Sequence, residues 1–196
     1  MKITSVILLT TIALCVSLCC PEDDDYNGRN YTIENDNLLS VENNITTYNL
    51  GDTLYFETAI SNTQNTTTNE SISIIDFTQN GEPITYSLLV YKLNSYGNLD
   101  RLVLNEDSIT AIEGSVLVIE DPNNPYLQLQ TVLTENSYKN KFGVTLLEPG
   151  TYYIGGDYNA YNGKIGIYTY NEFGSLNINT KIVNSNTEGL YVFTID

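Results

Sequence analysis

A chain of 196 residues with 8 basic and 24 acidic side chains carries a formal charge of −16. Such a charge repels phosphates and excludes binding to nucleic acid or to anionic lipid through a basic patch. Histidine and tryptophan are missing, and no cysteine follows Cys20, so the rest of the chain has no disulfide framework, thiol nucleophile or histidine-based triad, and lacks the usual zinc ligands.

Residues 1–20 read as a leader. Lys2 is the only charge before Glu22, and residues 3–18 form an apolar run that fits the h-region of a secretory signal but is short for a membrane span. Cys19 and Cys20 end that run, and Pro21 and the acidic tract Glu22-Asp23-Asp24-Asp25 follow. The arrangement resembles a bacterial lipoprotein signal, in which a cysteine after the apolar run becomes the acylated first residue of the mature chain. That resemblance implies acylation of Cys20, which has the smaller residue before it, with Cys19 as the alternative acceptor. The acidic tract is similar to the export tract of surface lipoproteins in the Bacteroidota. What it implies is a surface-exposed lipoprotein of the outer membrane, held to the cell envelope by its lipid.

Residues 21–37 (PEDDDYNGRNYTIENDN) are polar and charged, with little apolar surface to bury, and are expected to form a flexible tether. Residues 38–196 remain, about 160 in all, the size of one domain. Period-2 patterns dominate them and no helical stripe appears. Residues 53–60 alternate, with Leu54, Phe56 and Ile60 on one face; 61–71 read as a polar loop, and 71–77 as a short strand. Residues 84–93 are the longest strand candidate, with Ile84, Tyr86, Leu88 and Val90 facing one way. Weaker strands are expected at 99–104 and 108–112. The continuous apolar run 115–119 suggests a strand buried on both faces, and Pro122 and Pro125 end it. Further strands are expected at 127–133, 141–147, 151–154, 164–170, 176–182 and 190–195.

About a dozen short strands separated by turn signals argue for two packed antiparallel sheets. Tyr48-Asn-Leu-Gly-Asp-Thr-Leu-Tyr-Phe56 resembles the turn into an early core strand of bacterial immunoglobulin-like domains. Leu147-Glu-Pro-Gly-Thr-Tyr-Tyr-Ile154 is similar to the turn into a late core strand, where a tyrosine bonds back to the main chain. The resemblance implies an all-β protein, an elaborated immunoglobulin-like antiparallel β-sandwich.

Few residues invite chemistry. Asp23-x-Asp25-x-Asn27-Gly28 with Glu34 has the spacing of an EF-hand calcium loop. No helix can precede it, Asn30 stands where an aliphatic residue belongs, and the aspartates are already explained by the export tract; no metal or cofactor is assigned. Paired carboxylates acting as acid and base, as in glycoside hydrolysis, would make a hydrolase of an envelope or extracellular polysaccharide. No pair of acidic residues is singled out by spacing. Tyrosine is in excess, with 16 residues, six of them between 152 and 170. Asn162-Gly163 is a type I′ turn signal. A two-residue hairpin there would collect Tyr153, Tyr161, Tyr168 and Tyr170 on one polar aromatic face, opposite a core face of Ile154, Tyr158, Ala160, Ile165 and Ile167. The sequence therefore reads as a non-enzymatic module that binds or scaffolds an envelope protein or glycan, with the hydrolase as the alternative.

Overall fold

The computed structural model describes residues 28–78, 81–172 and 174–196. Cys19, Cys20 and the acidic tract lie outside the described residues. In chain order the first strands are β1 (Arg29–Glu34), β2 (Leu39–Val41), β3 (Thr47–Tyr48), β4 (Thr53–Ser61), β5 (Thr63–Asn65) and β6 (Ser71–Ser73). The middle of the chain supplies β7 (Thr85–Leu93), β8 (Leu99–Arg101), β9 (Ile109–Glu113), β10 (Ser115–Ile119), β11 (Tyr126–Gln130) and β12 (Val132–Thr134). Then come β13 (Ser137–Thr145), β14 (Gly150–Gly155), a single helical turn α1 (Tyr158–Tyr161), β15 (Ile165–Asn171), β16 (Gly174–Thr180) and β17 (Tyr191–Ile195).

In one sheet β2, β4 and β13 are neighbours, and both β9 and β12 pair with β13. In the other, β8, β7, β14 and β17 lie side by side, and β3 runs parallel to β17. Taken in spatial order, β2, β4, β13 and β9 stand as the A-B-E-D sheet of the immunoglobulin fold, and β7, β14 and β17 stand as its C-F-G sheet. The protein is thus an all-β, immunoglobulin-like sandwich, as the turn motifs implied. Its elaborations are hairpins. β10 and β11 add to β7, and β15 and β16 are inserted between β14 and β17. β16 carries β1 in parallel, while β5 and β6 pair by themselves.

The core follows from alternation. Leu54, Phe56 and Ile60 on β4 and Tyr138, Phe142 and Val144 on β13 join Tyr86, Leu88 and Val90 on β7 in one buried cluster. Each such side chain contributes about 1.5–3 kcal/mol by leaving water. Tyr152 on β14 is buried against Phe193, their rings stacked with centroids 5.6 Å apart, and its hydroxyl donates to the Glu148 carbonyl at 2.7 Å. That bond is the tyrosine corner expected at this turn. Where the chain changes sheets, from β9 to β10 and from β11 to β12, polar groups hold the corner. Asn140 Nδ2 donates to the carbonyls of Ser115 and Gln130, each at 3.0 Å. Thr131 Oγ1 accepts from the Ile84 N–H at 3.0 Å.

Several local expectations are corrected. Residues 29–34, assigned to the tether, form β1: Ile33 is buried, and Tyr31 meets Phe77 edge-on at 5.4 Å. Residues 61–71 contain β5, and only residues 71–73 of the expected strand 71–77 are extended, because Ile74–Asp76 form a 3-10 turn. The run 115–119 is not buried on both faces. β10 pairs with β11 alone, so Val116 and Val118 lean on the core while Leu117 is exposed.

Candidate functional site

The outer face of the larger sheet bears a cleft of about 640 Å³ where β7, β15 and β16 lie side by side. That size falls within the range of ligand sites, roughly 300–1,000 Å³. Strand alternation builds its floor. Ile165, Ile167, Leu176, Ile178, Tyr86 and Leu88 point into the core, so Gly166, Tyr168, Asn177, Asn179, Thr85 and Ser87 point out. Register aligns them: Gly166 lies opposite Asn179, Tyr168 opposite Asn177, and Ile167 opposite Tyr86 on the other side.

The wall is the segment between β14 and β15. Gly155 pairs with Leu89 on β7, whereas β15 meets β7 only at Tyr86, so the two strands part along one edge and the chain between them leaves the sheet. Asp157 caps the helical turn by accepting from the Asn159 N–H at 3.0 Å. A Cβ on Gly163 would collide with the Glu188 carbonyl, and one on Gly189 with the Asn162 carbonyl. The wall thus rests on the 186–190 turn by backbone against backbone. Beneath it lies a second small core of Leu89, Tyr91 and Leu190, with Tyr153 and Tyr158 packed on it and Tyr158 edge-on to Tyr91 at 5.3 Å.

The charges around the cleft are paired. Arg101 meets Asp157 at 2.7 Å, both half-buried, and also bonds Asn124. Lys164 meets Glu34 at 2.6 Å, and Asn179 Nδ2 donates to the other oxygen of Glu34 at 2.8 Å. The Lys164 bond holds the Glu34 carboxyl below the usual carboxylate range, and the same bond raises Lys164. The pair is lost as pH falls through the lowered carboxyl value or rises through the raised ammonium value. Both side chains are about two-fifths exposed, so the pair contributes at most about 1 kcal/mol. Its effect is to cancel charge at the rim.

Of the tyrosines singled out in the sequence, Tyr161, Tyr168 and Tyr170 are exposed, at 70%, 56% and 67%. Tyr161 and Tyr168 line the cleft, and Tyr170 extends it, its ring 5.8 Å from that of Tyr168. Tyr153 is half-buried in the small core and supports the wall instead. The hairpin that was to collect them does not form. Asn162 and Gly163 do adopt positive φ, 51° and 69°, but they close a helical turn, and β15 pairs with β16 and β7 rather than β14. Tyr158 is accordingly only half-buried and Ala160 exposed, while Ile154, Ile165 and Ile167 are core.

Thr85, Ser87, Gly166, Asn177 and Asn179 were not singled out from sequence; the polar alternation of 174–180 was their one visible signal. Of the calcium-loop residues, Asp23, Asp25 and Asn27 lie outside the described residues, and Glu34 is engaged by Lys164 and Asn179. Among the described residues no cluster of His, Cys, Asp and Glu could hold a metal ion, and no helix is long and apolar enough to cross a membrane. One carboxylate, Asp157, lines the cleft, and it is tied to Arg101.

Neither a family model nor a curated protein matches the chain. Among solved structures it is similar to a type II cohesin domain from the cellulosome of Acetivibrio cellulolyticus. The identity is 11% and the TM-score 0.33, over 84% of this chain and 95% of that one. So distant a likeness carries no argument here; the fold rests on its own strand order.

Proposed function

We propose that this protein is a lipid-anchored, non-enzymatic binding module of the cell envelope, acylated at Cys20 or Cys19 and engaging its partner through the cleft over β7, β15 and β16. The observation that carries it is the cleft itself, an open trough of about 640 Å³ with Tyr161 on its wall and Tyr168 on its floor. Rings so exposed give the folded chain little burial, whereas aromatic side chains at a binding surface supply large contact area at low entropic cost. The rival reading, an acid–base hydrolase, needs two carboxylates flanking one bond. Among the described residues the cleft has one carboxylate in its lining, Asp157, and one at its rim, Glu34, and each is already paired with a cation. The apolar run before Cys19 and Cys20 and the acidic tract after them support the anchor.

The test has two arms. Mass spectrometry of the membrane fraction should find an acylated N-terminal cysteine at 20 or 19; a soluble mature protein starting elsewhere would refute the anchor. For the cleft, a C19S/C20S form that cannot be acylated is sedimented with cell envelopes. Retention should be saturable and should weaken at least tenfold in Tyr161→Ala/Tyr168→Ala. Equal retention of the two would refute the cleft as the binding surface.

A further inference from the structure

We infer that the cleft takes a neutral oligosaccharide, laid across β7, β15 and β16 with one sugar ring over Gly166 and its apolar face against Tyr168. The inference rests on the cleft being the binding surface, and it follows first from Gly166. This glycine stands inside β15, points outward, needs no positive φ, and a Cβ placed there would meet nothing within 4 Å. Its fellows differ. Gly156, Gly163, Gly174 and Gly189 each face backbone that a Cβ would strike. A glycine inside a strand destabilises it relative to alanine. Neither packing nor a turn compensates that cost at Gly166, and such a glycine marks close approach by another molecule.

The groups around the bare spot choose the ligand. Asn179 lies beside Gly166 in register, Asn177 beside Tyr168, and Thr85 and Ser87 border them on β7. Among the described residues the side chains of Thr85, Ser87 and Asn177 have no hydrogen-bond partner within the protein. Amides and hydroxyls offer donors and acceptors together, which matches sugar hydroxyls, themselves both donor and acceptor. An anionic ligand would need an unpaired cation. Lys164 and Arg101 are each held by a carboxylate at 2.6 and 2.7 Å, and the chain as a whole is strongly acidic. Uronates, phosphates and acidic peptides are therefore disfavoured. A protein partner is disfavoured by relief and chemistry together, since around the ring of Tyr168 the floor is recessed and made of Gly, Ser, Thr and Asn. Tyr168 and Tyr170, two residues apart with rings 5.8 Å from each other, extend the platform beyond a single sugar.

The experiment is calorimetric titration of the protein with neutral oligosaccharides of three to six hexose, pentose or N-acetylhexosamine units, alongside uronic-acid oligosaccharides as charged counterparts. We expect binding of at least one neutral series. Gly166→Val and Tyr168→Ala should each weaken it at least tenfold, and Gly166→Ala should leave the Tm unchanged or higher. Preference for uronates, or equal binding by Gly166→Val, overturns the inference. If no saccharide binds while Gly166→Val abolishes retention on cell envelopes, the occupant is a protein; the saccharide inference falls and the cleft stands. If no saccharide binds and Gly166→Val is retained normally, both fall.

Discussion

Two tyrosine hydroxyls, removed one at a time, test whether the buried polar contacts of this sandwich are understood. Tyr152→Phe deletes the oxygen that donates to the Glu148 carbonyl at 2.7 Å and leaves the ring stacked on Phe193. Glu148 lies on an exposed turn, so its carbonyl is free to bind water, and the loss should stay near about 1 kcal/mol, the net worth of one hydrogen bond. Tyr86→Phe deletes the partner of the Thr58 hydroxyl. Both residues are 3% exposed, and burial pushes the Tyr86 phenol well above its usual range, only partly offset by the Thr58 bond. Here the group left behind has no water to turn to, so its desolvation cost is felt in full, about 1–3 kcal/mol. In urea titrations, with slopes of about 1–3 kcal/mol per molar, Tyr86→Phe should therefore show the lower midpoint at unchanged slope. The double variant Thr58→Val/Tyr86→Phe should recover most of the loss, because it removes both partners at nearly constant shape. A Tyr86→Phe no less stable than Tyr152→Phe, or a double variant worse than the single, would refute the reasoning.

Two further outcomes follow from burial. Ile167→Ala, a truncation in the core worth about 2–5 kcal/mol, should destabilise the protein more than Tyr161→Ala/Tyr168→Ala, whose rings are exposed; the opposite order in a denaturant titration would make the tyrosines core. Stability should also fall as pH rises above about 10, the usual tyrosine value, because burial raises Tyr48 to about 12, so the unfolded chain loses that proton first. Tyr48→Phe should flatten the decline between pH 10 and 12 measured by thermal melts, and an unchanged slope would exclude Tyr48 as its source.

Legibility in the sequence tracked how local the controlling contact is. The alternation of Ile84, Tyr86, Leu88 and Val90 was readable because one face of β7 meets the core throughout, and all four are buried. The corner at Tyr152 was readable because its partner, Glu148, is four residues away. β1 was not: its polar composition hides Ile33, and its ladder is made with β16, far along the chain. The Asn162-Gly163 signal shows the limit. It gave the right sign of φ at both positions, yet a dihedral pair does not choose a strand partner. That choice was made by Gly174–Thr180 and by β7. The cleft was hidden for the same reason. Positions 85, 87, 166, 177 and 179 come from three strands, and no spacing in one dimension brings them together.

The cleft exists because β7 is forked. Its residues 89–92 pair with β14 and its Tyr86 pairs with β15, on the same edge. A hairpin could have joined β14 directly to β15 and sealed that edge, as the sequence suggested. Instead the Gly156 N–H donates to the Gly163 carbonyl at 2.9 Å, and a Cβ at Gly156 would strike the Lys164 carbonyl. The departing and returning chain thus meet in backbone contact, and the six residues between Gly156 and Gly163 are lifted out of the sheet. That lift raises Tyr161 and Asp157 above the floor. The glycines that make this contact are demanded by the fold, since a side chain at any of them would part the wall from its support. Gly166, the next glycine along the chain, is demanded by nothing in the fold. The contrast between neighbours of the same residue type separates the part of this surface that holds the wall from the part left bare for what the wall encloses.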